Sequence, residues 1–303
     1  MTKSRNVASE AEPFDASSFA VTFHGVRGST PCHGSDIMRY GGNTSCVSLN
    51  VPGADPILFD MGTGLRYFCA NNPSDAPFRG TFLLSHLHWD HIQGLPFFGP
   101  ILCNDSEIDV FAPEQEGDAT VEGVFADTIK PPLFPIDLSQ LPGTMRFHDV
   151  GNGWFELPHP SGDADDAIRV LTQSIPHVGP TVGYRVEWRG RSVVYVSDHQ
   201  MPHDGSLAAT GGALDLCRGA DLVIHDAQYT PDEFATRNDW GHCTIDFAIW
   251  IAVTSGARRL ALFHHDPSHD DDRLDELVAA AVKCGGLSGI EVFGASEGMT
   301  VAL

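Results

Sequence analysis

Residues 83–94 read LLSHLHWDHIQG, an apolar run that breaks into three histidines and an aspartate within six positions. Few folds can use so many ligating groups at the end of one strand. His86 and His88 are two apart, so in an extended segment their side chains point the same way and can grip one ion. Asp90 and His91 come after the chain starts to turn into a short helix, and they face a neighbouring ion. Leu87 and Trp89 are expected to face the core and hold the loop.

The same chemistry recurs where other apolar runs end. PILF is followed by Asp60, IRVLTQSI by His177, SVVYVS by Asp198, DLVI by His225 and Asp226, and RRLALF by His264. In α/β sheets ligands gather at the carboxyl ends of strands, so these separate runs converge on one site. An ion needs three or four protein ligands, and a catalytic ion keeps a position open for water. Seven candidates (His86, His88, Asp90, His91, His177, Asp198 and His264) therefore suit two divalent ions. Asp198 is the natural bridge, because a carboxylate offers two oxygens. Nitrogen and carboxylate donors admit zinc or manganese, and iron as well.

Strand-like runs rich in Val, Ile, Leu and Phe lie at 19–26, 46–51, 56–60, 81–85, 108–112, 168–175, 181–188, 192–197, 221–226, 258–263, 290–294 and 299–303. Helices are expected near 63–71, 118–127 and 206–218. Two more are expected over IDFAIWIAVTSGA, with Thr244 as N-cap, and over DDRLDELVAAAVKCGG, which stops at its glycines. That order of elements predicts an α/β fold of layered sheets and helices. Residues 128–162, rich in Pro and aromatics, read as a loop or lid beside the site. Residues 1–18 read as a disordered tail, and 19–303 as one domain.

Eighteen basic residues against 40 acidic ones give a net charge of −22. So acidic a chain argues against tRNA or any other nucleic acid as partner, and against an anionic membrane. A small anionic substrate stays open, since bound metal ions reverse the local field. Seven cysteines with no CxxC pair point to a reduced, cytoplasmic protein. No apolar run reaches 18 residues, which excludes a membrane-spanning helix, and the N-terminus has no apolar segment of the signal-peptide kind.

His86-x-His88-x-Asp90-His91 resembles the signature of the metallo-β-lactamase superfamily. FDMGTG (59–64), PHVGPTVGYRV (176–186) and YVSDH (195–199) resemble its flanking motifs. WGHCT (240–244) and LALFHHDP (260–267) resemble the late motifs of its phosphodiesterase branch, which includes ribonuclease Z. The resemblance covers about residues 20–303. It implies an αββα four-layer sandwich with a dinuclear metal site between the sheets. Carried over by position, His86, His88 and His177 would hold one ion, Asp90, His91 and His264 the other, and Asp198 both. His242 matches the histidine that protonates the leaving group, so His242 and Asp90 are read as the catalytic residues. A homodimer is implied by the resemblance alone. No inserted basic arm of the kind that clamps tRNA is present, and the opening segment 26–47 departs from the glycine-rich start of ribonuclease Z.

The expected activity is hydrolysis of a small, cyclic-nucleotide-like phosphodiester by a hydroxide shared between two ions. The alternative is a carbon-ester hydrolase (thioesterase, lactonase or β-lactamase) using the same metal set. Arg27 and Asn43 are candidate substrate contacts, with turn chemistry as the rival reading. Asp60 and Asp226 are expected to orient ligating or catalytic histidines from behind. His199 and His265 are expected to point away, His269 to start a solvated helix, and Cys46 and Cys243 to be small buried thiols.

Overall fold

The apolar runs pair edge to edge into two mixed sheets. The computed structural model describes residues 17–70 and 77–303, and the statements below concern those residues. The first sheet contains β1 (Ala20–Gly25), β2 (Cys46–Asn50), β3 (Ile57–Phe59), β4 (Arg79–Leu83), β5 (Glu107–Pro113), β6 (Thr144–Val150) and β14 (Thr300–Ala302), in spatial order β14-β1-β2-β3-β4-β5-β6. The second contains β7 (Gly153–Leu157), β8 (Ile168–Ser174), β9 (Val182–Trp188), β10 (Arg191–Val196), β11 (Leu222–Asp226), β12 (Arg259–Phe263) and β13 (Glu291–Gly294), in order β13-β12-β11-β10-β9-β8-β7. Strands β3 to β6 run parallel, as do β10 to β13.

Seven helices cover the sheets: α1 (Leu65–Ala70), α2 (Trp89–Ile92), α3 (Val121–Thr128), α4 (Gly211–Cys217), α5 (Pro231–Phe234), α6 (Ile245–Ser255) and α7 (Asp271–Leu287). Thr244 caps α6, its side chain accepting from the Phe247 N–H. Three apolar cores separate four layers. Phe23, Phe59, Tyr195 and Phe263 lie in the core between the sheets. Val223, Leu260, Phe247 and Ala281 lie in the core under α4, α6 and α7. Leu58, Phe82, Leu65 and Phe125 lie in the core under α1 and α3. This is the αββα sandwich. No helix among the described residues is long and apolar enough to cross a membrane.

Two expectations change. Residues 128–162 contain β6 and β7, which close the far edges of the two sheets. Helix α7 does not stop at its glycines: Gly285 and Gly286 lie inside it. Residues 1–16 of the expected tail lie outside the described residues.

Candidate metal centre

Parallel strands place their carboxyl ends on one rim, and the ligating groups follow from there. Asp60 follows β3, residues 86–91 follow β4, His177 follows β8, Asp198 follows β10, and His264 follows β12. The structure brings all seven candidate ligands together. One atom from each of His86, His88 and His177 lies within 4.8 Å of the others, and the same is true of Asp90, His91 and His264. In the first trio His86 Nε2 and His177 Nε2 approach His88 Nδ1 to 2.9 and 3.2 Å.

Asp198 stands between the trios. Its Oδ2 faces His86 Nε2 at 3.8 Å and His177 Nε2 at 3.6 Å, and its Oδ1 faces His91 Nε2 at 3.3 Å and His264 Nε2 at 3.4 Å. His91 Nε2 and Asp198 Oδ1 are buried without a hydrogen-bond partner. Buried polar atoms are rarely left so. A cation between them would satisfy both, so the residues present fit a metal-binding role.

The electrostatics agree. Burial, aided by His91, pulls the His86 pKa well below the ordinary imidazole value, and burial also lowers His88 and His177. Neutral imidazole is the form that ligates. Burial would raise Asp198, but His264, His91, His86 and His177 outweigh it and keep the carboxyl well below its usual range. Asp90 is likewise held low by His91 and His264 against its burial. His91 goes the other way: burial alone would lower it, but Asp90, Asp198 and Asp60 raise it well above the ordinary value. Three carboxylates around one ring, two at Nε2 and one at Nδ1, make a strong demand for positive charge, which an ion at Nε2 would meet with His91 neutral.

The rings of His91, His264, His177 and His242 are each aimed by a second partner. His91 Nδ1 donates to Asp60 Oδ2 at 2.7 Å, and the same carboxylate accepts from Tyr195 OH, Ser85 N and Ser85 Oγ. His264 Nδ1 donates to Gln228 Oε1 at 2.8 Å, and His177 Nδ1 to Gly241 O at 2.6 Å. Gly241 has φ +93°, and a Cβ there would lie 2.4 Å from the His177 ring. Asp226 Oδ2 accepts from His242 Nδ1 at 3.2 Å and from His199 N at 3.0 Å. The His242 ring lies 5.0 Å from that of His264 and 5.6 Å from that of His177, so it borders both trios. Burial lowers its pKa, but Asp226, Asp198 and Asp90 raise it above the ordinary value.

Two expected substrate contacts are not in the site. Arg27 is fully buried, donating to the carbonyls of Gly41, Asp266 and His269. It ties the opening loop to the turn before α7 and has no face for a phosphate. Asn43 spends its backbone and side-chain N–H groups on Glu297. His269 is also buried, bonded to Glu233 Oε1 at 2.7 Å, instead of solvated. His199 bonds His225, and His265 donates to Ala295 O, so both turn away from the trios. Gln228 and Gly241 carry no sequence signal of their own; only the folded loops bring them to the histidines they aim.

Residues 56–265 match the family model described as a beta-lactamase superfamily domain. A ribonuclease Z of Natronomonas pharaonis is 28% identical over 278 residues, covering 82% of this chain and 87% of that protein. Human tRNase Z, short form, superposes with a TM-score of 0.63 at 21% identity, covering 93% of this chain and 98% of that one. A diphosphatase from the PhnP family gives 0.65 at 16%, covering 94% and 97%. These relatives correct the expectation that tRNA or another nucleic acid is an unlikely partner. Net charge sums the whole surface, whereas a substrate meets the local field, which bound cations dominate.

Proposed function

The chain belongs to the beta-lactamase superfamily and is a metal-dependent hydrolase, and from that membership we propose that it is a two-metal phosphodiesterase whose substrates include RNA. The observation that carries the reading is Asp198, whose two oxygens divide between two histidine-containing trios. His86, His88 and His177 would hold one divalent ion and Asp90, His91 and His264 the second, zinc or manganese by donor type. Bound there, the ions supply Lewis-acid charge for a phosphoryl oxygen and lower the pKa of a coordinated water.

The chain supplies the rest. Asp60 and Gln228 fix the tautomers of His91 and His264, so that each presents Nε2. His242, with Nδ1 held by Asp226, keeps Nε2 for delivering a proton to the departing alkoxide. Acyl transfer has less need of such a donor, which favours phosphodiesters over carbon esters.

The test is metal-titrated hydrolysis by the purified protein of bis(p-nitrophenyl) phosphate, a p-nitrophenyl carboxylic ester and a tRNA precursor with a 3′ extension. Metal-dependent cleavage of the phosphodiester and the RNA supports the reading. Cleavage of the carboxylic ester alone overturns it. Cleavage of bis(p-nitrophenyl) phosphate with the RNA left intact restricts the substrate to small phosphodiesters.

A further inference from the structure

Trp89 stands between two candidate ligands, His88 and Asp90, and was expected to brace the loop from inside. Instead its side chain is 59% exposed, while Asp90, His91 and Ile92 of the same short helix are buried. A water-facing indole directly before the buried Asp90, His91 and Ile92 does nothing for the core. It lines one wall of a cavity of about 230 Å³. Phe97 and Leu133, 72% and 66% exposed, form its rim, and buried Ile92, Phe125 and Ile129 its floor.

Two properties of this cavity select its occupant. None of its lining residues is charged, although the chain carries −22, so neither a phosphate nor a cation is recognised there. Its volume falls below the roughly 300–1,000 Å³ that encloses a whole drug-sized ligand, which suits one ring of a larger molecule. The location selects further. Consecutive Cα atoms are about 3.8 Å apart, so the Trp89 backbone adjoins His88 of one trio and Asp90 of the other, and the cavity opens beside the loop that carries them. Val178, beside His177, and Trp240, two before His242, are also largely exposed and extend apolar surface along the loops that carry the site.

We propose that Trp89, with Phe97 and Leu133, is a stacking subsite for the planar base of a nucleotide whose phosphate lies at the metal trios. The proposal rests on the phosphodiesterase reading for that phosphate and adds a substrate feature to it. Indole accepts any base through its π-face, so the subsite selects for a base without reading which base it is.

The experiment compares calorimetric binding of thymidine 5′-monophosphate and 2-deoxyribose 5-phosphate to the metal-loaded protein. These two ligands differ at C1′, which carries thymine in one and a hydroxyl in the other. Wild type should prefer the nucleotide at least about fivefold, the low end of what base–aromatic stacking supplies. Trp89→Ala should abolish the preference while the sugar phosphate still binds, and Trp89→Phe should restore most of it. A preference absent from wild type, or unchanged in Trp89→Ala, overturns the subsite. Failure of wild type to cleave any phosphodiester, with the binding preference intact and sensitive to Trp89, would overturn the phosphodiesterase reading and leave the subsite standing.

Discussion

Asp60 Oδ2 accepts the Nδ1 proton of His91 at 2.7 Å, which turns His91 Nε2 towards Asp90 and Asp198 at 3.1 and 3.3 Å. Asp60 has φ +56° and is fully buried at the end of β3. It therefore acts on the second trio without belonging to it. Asp60→Ala should weaken metal binding by about 10–100-fold. It should also destabilise the fold, because Tyr195 OH and Ser85 lose a buried acceptor, at about 1–3 kcal/mol for each group left unpaired. Metal titration beside a denaturant melt checks both. Full metal affinity would show that His91 needs no orienting partner.

Asp198→Ala removes the carboxylate that faces both trios. Metal analysis after dialysis should find fewer than two ions per chain. Loss of several kcal/mol of charge stabilisation should cut turnover on the order of 10³-fold. Two retained ions with full activity would contradict its bridging role.

His242→Ala leaves both trios intact, so metal content should match wild type. Turnover should fall about 10²–10⁴-fold, and the deficit should grow as the leaving group becomes more basic. A series of aryl phosphodiesters of rising phenol pKa measures this directly. Loss of metal instead would make His242 a ligand, a role its place in a group with Asp198 and His264 also permits.

His24 gives a pH dependence separate from the metal centre. Its Nε2 lies 2.8 Å from Ser48 Oγ, and burial lowers its pKa from 6.5 to about 4. Between those values the unfolded chain binds the extra proton. Stability is therefore complete above about pH 6.5 and is lost as pH falls towards 4, by about 3 kcal/mol. His24→Gln should remove that share of the acid sensitivity. Denaturant melts of both proteins at pH 7.5 and 4.5 isolate it as a difference of differences, and equal pH sensitivity would refute it.

The candidate ligand set was legible because each of its members follows an apolar run, and local pattern alone places such a run in a sheet. The β6 and β7 edges of the sheets were less so. In β6, TMRFHDV alternates half-buried and exposed residues and mixes Arg and His among its apolar ones, because Asp109 of the neighbouring strand pairs with both. In β7, Trp154 faces outward under the Arg169 guanidinium, 4.2 Å from the ring centroid. Those partners lie 15 to 39 residues away, so nothing in the local sequence announces a strand. Arg27 misled for a related reason: a cation in a glycine-rich turn looks like a phosphate contact until the carbonyls of residues 266 and 269 fold over it. Trp89 was assigned inward by alternation, which fails where an extended segment turns into a helix.

Both trios draw on both sheets. His86 and His88 follow a strand of the first sheet and His177 one of the second; Asp90 and His91 belong to the first and His264 to the second. An ion held by either trio would act as a rivet through the sandwich. Because only the folded chain presents these groups together, free metal concentration would then set part of the folding equilibrium. Thermal stability would then report metal supply even in variants that turn over no substrate, and starvation for the ion would cost the protein structure as well as rate.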